Sequence, residues 1–122
     1  GEYVIVNNTA YEELGDQYKS RIGAAVEATP DTGALYVSFN GSVYPEPKSP
    51  NYNVIATDYD TYALIYTCAD IVFAEIEFAW ILSREQTLSA STINMLKQQL
   101  TAIGSNTDKF IKTDQTNCPA PL

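Results

Sequence analysis

The chain has 122 residues, with 7 Lys+Arg against 15 Asp+Glu for a net charge of −8, and no histidine. At 45% apolar and 18% charged residues it reads as one soluble globular domain with no transmembrane segment, since no apolar run nears the ~20 residues that a spanning helix needs. Without histidine no Ser-His-Asp or Cys-His nucleophile and no HExxH zinc site can form, two cysteines cannot complete a four-ligand metal centre, and the acidic balance argues against a nucleic acid partner.

Gly1 is not an initiator Met, and neither a charged start nor an apolar signal core precedes the first strand-like residues, so the chain is expected to be processed or part of something longer. The dominant period is two. Strands are predicted at about 2–9, 19–28, 34–40, 52–58, 62–69 and 73–83, rich in Val, Ile, Tyr and Phe and bounded by Gly, Pro, Asn or Asp. The links between them alternate in length. Thr29 to Gly33 and Asp58 to Thr61 are tight hairpin turns, whereas the first link spans most of 7–20 and the third runs from Gly41 to Asn51 with Pro45, Pro47 and Pro50. Such alternation predicts an up-and-down sheet closed tightly at one end and ringed by longer loops at the other, Tyr11 and Tyr18 falling within the first long link. A helix follows at 90–103, with Ile93, Leu96, Leu100 and Ile103 at helical spacing, Ser89 as cap, Leu88 and Ile93 as a staple and Gly104 as stop. A short strand at 110–114 closes the chain's regular structure, and no repeat or linker divides 1–122 into more than one domain.

The sixth strand carries the clearest two-faced pattern. Glu75 and Glu77 alternate with Ile76, Phe78, Trp80 and Leu82, so the carboxylates share a solvated face and the aromatics the other. A paired-carboxylate glycosidase reading would need both acids converging in a cleft with one pKa raised, and no such arrangement is legible. Phe39, Tyr52, Phe78 and Trp80 fall by parity on one side with Val37, Val54, Ala56, Thr67 and Ile76, a lining that suits a small apolar ligand and equally suits an ordinary β-core. Arg84 continues the apolar face. A guanidinium there needs an aromatic ring or backbone carbonyls to offset burial, or else it is a surface residue just past the strand.

Residues 54–68 (VIATDYDTYALIYTC), 77–88 (EFAWILSREQTL) and 113–119 (TDQTNCP) resemble the lipocalins. The Thr57-Asp58-Tyr59 turn matches the second family motif and Arg84 the third, and both are expected to be structural. The resemblance implies an all-β fold with one helix: an up-and-down antiparallel β-barrel and a C-terminal flanking α-helix. The first motif, Gly-x-Trp on the opening strand, is absent, and Gly1 falls at the third family strand, so two strands are missing from this chain. In the family, the cysteines resembling Cys68 and Cys118 bond to partners in that missing N-terminal segment. The expected partner is therefore that segment, supplied as a second chain disulfide-linked through Cys68 and Cys118. The alternative is a Cys68–Cys118 bridge, worth roughly 4 kcal/mol for a loop of about 50 residues.

The resemblance further implies that Asn7, Thr9, Ala24, Val37, Phe39, Tyr52, Thr67, Ile76, Phe78 and Trp80 line a cavity. Two sequons, at Asn7 and Asn40, and the cysteines point to a secreted, extracellular protein, with sugar expected at Asn40 before the inward Asn7. The expected function is non-enzymatic binding and transport of a small hydrophobic molecule: a fatty acid, steroid or retinoid, or, as in the pigment-carrying members, biliverdin or a carotenoid. No cofactor is required. For the carboxylates of a bilin the chain offers only Lys19, Arg21 or Lys48. Two rivals remain: an all-β protein–protein interaction module whose core fills itself, and an enzymatic lipocalin, which would need a reactive thiol where Cys68 and Cys118 look structural.

Overall fold

The computed structural model of the chain describes residues 3–39, 50–71 and 74–119. The residues group into two compact units, 1–52 with 115–122, and 53–114. Asn40, Lys48 and most of the long third link fall outside the described residues.

The first unit holds β1 (Val4–Glu12), β2 (Gln17–Glu27) and β3 (Ala34–Ser38). They form an antiparallel meander in chain order, β1 pairing with β2 from Val4↔Ala25 to Glu12↔Gln17 and β2 with β3 from Ala24↔Ser38 to Glu27↔Leu35. The expected long first link is absent. β1 and β2 run on until only Glu13–Asp16 separate them, turning through Gly15 (φ 115°) and Asp16 (φ 51°), with the Asp16 N–H donating to the Glu13 carbonyl at 3.2 Å. Tyr11 and Tyr18 are consequently strand residues that face each other across the ladder, ring centroids 5.2 Å apart, not residues of a long link. The Tyr11 hydroxyl donates to Asp16, which together with burial pushes its pKa up to about 12, and the Tyr18 hydroxyl donates to the Pro119 carbonyl. Gly23 is required for close approach: a Cβ there would lie 2.3 Å from the Ser38 carbonyl oxygen and 2.8 Å from the Phe39 ring.

The second unit holds β4 (Tyr52–Thr57, whose first residue groups with the first unit), β5 (Tyr62–Ile71), β6 (Ala74–Ser83) and α1 (Ala90–Ala102). β5 pairs with β4 on one flank and with β6 on the other, both antiparallel. The helix forms as its caps dictate. The Ser89 side chain accepts the Thr92 N–H at 3.2 Å, and beyond Ile103 the chain turns at Gly104 (φ 88°), with Gly104 N–H on Thr101 and Ser105 N–H on the Leu100 carbonyl, both at 3.0 Å. Leu96 and Leu100 pack on Leu64 in a core joined by Ala56, Tyr62, Tyr66, Ala79, Ile81 and Phe110. Ile103, expected on the same stripe, is the C-cap and stays 54% exposed. The strand expected at 110–114 does not form; Phe110 packs against the helix core and its ring lies 5.6 Å from the Lys97 ammonium.

The β4–β5 turn is held by side chains. Thr57 Oγ1 accepts the Tyr59 N–H (2.9 Å) and donates to the Tyr62 carbonyl (2.7 Å), while Asp58 Oδ1 accepts the N–H groups of Asp60, Thr61 and Tyr62 at 3.0, 2.7 and 3.0 Å. Asp58 Oδ2 accepts the Thr61 hydroxyl. These bonds, that from the Thr61 hydroxyl foremost, hold the Asp58 carboxyl well below the usual carboxylate range. A depressed pKa means stability that is complete above the unfolded value near 4 and is lost as pH falls below it. Asp58→Asn should therefore melt at a lower temperature than the native chain at pH 7, with the difference shrinking as the pH drops below about 4, read by circular dichroism melts. Leu100→Ala, which empties a fully buried site in the helix core, should cost about 2–5 kcal/mol in denaturant unfolding.

Candidate functional site

In the β5–β6 ladder Ala63, Ile65, Thr67 and Ala69 stand opposite Leu82, Trp80, Phe78 and Ile76. Cross-strand partners share a face, so the pattern read in β6 sorts both strands at once. Tyr62, Leu64, Tyr66 and Cys68 pair with Ser83, Ile81, Ala79 and Glu77 on the other face, which receives α1. There the Glu77 carboxylate is engaged: Oε1 accepts the Tyr66 hydroxyl at 2.7 Å and Oε2 the Ser105 hydroxyl at 3.4 Å. The bond to Glu77, with burial, pushes the Tyr66 hydroxyl pKa upward. The side chain of Glu75 lies outside the described residues.

The face away from the helix is apolar and incompletely covered. Ile65 and Thr67, on the strand flanked on both sides, are 1% and 6% exposed, whereas Phe78, Trp80 and Leu82 on β6 remain 47%, 44% and 46% exposed. The Phe78 and Trp80 rings are parallel to within 4°, centroids 5.8 Å apart, as residues two apart on one strand allow. Of the expected lining, Thr67, Phe78 and Trp80 thus come together, and Ile76 holds the ladder position opposite Ala69. Ala56 does not join them. A bulge between Val54 and Ala56 leaves Val54 opposite Ile65 but places Ala56 opposite Leu64, in the helix-packed core. Ile65 and Leu82 belong to this face although the sequence reading did not single them out as lining; their parity with Thr67 and Trp80 was the available signal.

The first unit separates the remaining expected lining into two sets. Asn7, Thr9 and Ala24 share a face, pairing with Ile22, Ser20 and Ile5. Ala24 pairs with Ser38, however, and Val37 with Ala25, so Val37 lies on the opposite face, where the Phe39 ring approaches Gly23. The unbroken β2 ladder forces this division, since without a bulge neighbouring residues cannot share a face. Asn7 is exposed; its side-chain carbonyl accepts the Thr9 hydroxyl at 3.1 Å, and that hydroxyl lies 2.7 Å from Ser20 Oγ. Tyr52 is half-buried, and burial raises its hydroxyl pKa.

At the turn end of the second unit, Thr57, Tyr59, Thr61, Tyr62, Leu82 and Arg84 line an open pocket of about 300 Å³. Arg84 is exposed; its Nη2 donates to the Tyr59 carbonyl and its backbone N–H to the Thr61 carbonyl, each at 3.2 Å. The guanidinium thus meets one backbone carbonyl, that of Tyr59. Cys68, in the second unit, and Cys118, which groups with the first, are both exposed free thiols. No helix among the described residues is long and apolar enough to cross a membrane.

Comparison with known proteins places this geometry. A 74-residue stretch, 60% of the chain, is 43% identical to apolipoprotein D of Macaca fascicularis, and the chain spans 39% of that relative's length. The Lazarillo protein of Schistocerca americana is 31% identical over 86 residues, 69% of this chain and 38% of its own. In structure, apocrustacyanin C1 superposes with a TM-score of 0.78 at 23% identity, over 98% of this chain and 64% of that one. The profile of the lipocalin / cytosolic fatty-acid binding protein family matches residues 5–117. Through that match, the paired ladder and the flanking helix, this chain belongs to the lipocalin family, whose members bind small hydrophobic molecules.

Proposed function

We propose that the chain is part of a secreted, non-enzymatic carrier that binds a small hydrophobic molecule against the helix-free face of β5 and β6. One observation carries this reading: Phe78, Trp80 and Leu82 keep nearly half their surface uncovered on a face whose neighbours Ile65 and Thr67 are buried. A self-filled core would have closed over these side chains, because each ~100 Å² of apolar surface left in water forgoes about 2.5 kcal/mol. Fatty acids, steroids, retinoids, bilins and carotenoids all present apolar surface that such a face would remove from water. Affinity on this reading comes from burial, with hydroxyls orienting the ligand.

The exposed thiols of Cys68 and Cys118 are proposed to form disulfides with polypeptide outside this sequence, which favours an oxidising, extracellular setting. Asn7, exposed on β1, and Asn40 are the proposed glycosylation positions. The interaction-module reading draws on the same half-exposed β6 residues, which another protein chain could cover.

Titration of the purified chain with a fatty acid, a steroid, a retinoid and biliverdin decides between the two, since Trp80 is the single tryptophan and lies in the site. The carrier should show saturable quenching or a spectral shift with at least one of them, and Phe78→Ala should weaken that ligand about tenfold through loss of one aromatic contact. Trp80 emission unchanged across the panel would leave the interaction module as the better account.

A further inference from the structure

The helix-free face of β5 and β6 does not end at Leu82. The Arg84 backbone N–H donates to the Thr61 carbonyl at 3.2 Å, one step beyond the Tyr62↔Ser83 pair, so Arg84 stands opposite Thr61 in phase with Leu82, Trp80 and Phe78. Alternate residues from Phe78 to Arg84 therefore pass from aromatic to aliphatic to guanidinium along one side of the ribbon. The open pocket of about 300 Å³ at the turn end continues that side, since its wall includes Ala63 and Leu82 of the helix-free face together with Thr57, Tyr59, Thr61 and Arg84. Face and pocket meet at Leu82, whose side chain is 46% exposed.

Arg84 is what this pocket adds to the apolar face. Its Nη2 donates to the Tyr59 carbonyl at 3.2 Å, and a guanidinium carries further N–H donors fixed in the same plane. The anchoring carbonyl belongs to the turn that Asp58 clamps through the N–H groups of Asp60, Thr61 and Tyr62, so those donors are pre-positioned. Asp60 also lines the pocket, but a carboxylate only accepts; it is the guanidinium that can donate to an incoming oxygen. We propose, on the basis of the carrier reading above, that the ligand is an elongated amphiphile lying along β6, with its hydrocarbon on Phe78 and Trp80 and a terminal oxygen accepting from Arg84. Trp80 and Arg84 are four residues apart, about 13 Å along an extended strand, so the ligand must be at least that long to touch both.

Two pairs of probes test this: retinol with its deoxy hydrocarbon, and 1-dodecanol with dodecane. Each is titrated into the whole 122-residue chain and into Arg84→Met and Arg84→Lys, with Trp80 emission as readout. In each pair the native chain should bind the alcohol at least about tenfold tighter, as a hydrogen bond from a charged donor allows. Arg84→Met should erase that difference while leaving the hydrocarbon's affinity unchanged, and Arg84→Lys, which keeps a donor, should retain part of it. A loss shared equally by alcohol and hydrocarbon would assign Arg84 to holding the turn alone, and equal binding of the two by the native chain would remove the oxygen contact; either overturns the proposal. Should Arg84→Met not fold, brominated dodecanols decide the orientation in the native chain: bromine in mid-chain should quench Trp80 more than bromine beside the hydroxyl, and an equal or reversed order overturns it. If neither alcohol perturbs Trp80 while another compound of the wider panel does, the proposal fails and the carrier reading stands; silence across the whole panel ends both.

Discussion

The β5–β6 ladder is the constraint on which the rest depends. Its register, from Tyr62↔Ser83 to Ile71↔Ala74, assigns every side chain of both strands to one of two faces. Leu64, Tyr66 and Ile81 receive α1, while Ile65, Thr67, Phe78 and Trp80 do not. A slip by one residue would exchange Glu77 with Phe78, putting a carboxylate among the aromatics and an aromatic beneath the helix turn that Ser105 follows. Helix docking and the ligand face are therefore two outcomes of one pairing. The leucines of α1 contribute burial energy to the first, and that same burial holds the second in place.

The turn end supplies a second means of holding that register. Asp58 gathers three backbone N–H groups and a hydroxyl at the point where β4 becomes β5, so Thr57 stands opposite Ala63 with little freedom to drift. Arg84 then ties the end of β6 to the same turn through the Tyr59 and Thr61 carbonyls. Three strands are thus indexed from one end by polar groups that bury little surface. This explains how an acidic turn and Arg84 matter to a face made of hydrocarbon.

Strand order, the helix and the division of β6 into two faces were legible in the sequence because each has a strong local signal: Ser89 and Gly104 as caps, and the alternation of Glu75 and Glu77 with Ile76 and Phe78. The β1–β2 hairpin was not legible. From Asn8 to Arg21 its residues are mostly polar and solvated on both faces, so no alternation marks the strands and only Gly15-Asp16 signals the turn. Grouping Val37 and Phe39 with Ala24 failed for a different reason. Parity within a strand is readable, but which residue of β2 meets which of β3 depends on pairing, and Ala24↔Ser38 reversed the assignment. Ala56 was lost to a bulge, which no local pattern announces. Ile103 was lost because the capping geometry turns it outward.

That bulge has a further effect on β4. One additional residue, Ile55, advances the strand by half a pleat, so the stretch that begins on the ligand side with Val54 reaches the turn with Ala56 beneath the helix and Thr57 in phase to bond Tyr62. A short ribbon thereby serves two layers at the cost of one local shift in its ladder, at Ile55. Shortening it by a single amino acid would leave composition and hydropathy almost unchanged, yet would send its last side chains to the wrong layers and deprive the Asp58 corner of its hydroxyl clasp. Tolerance to length change in this strand is set by geometry, not by how greasy the substitute is.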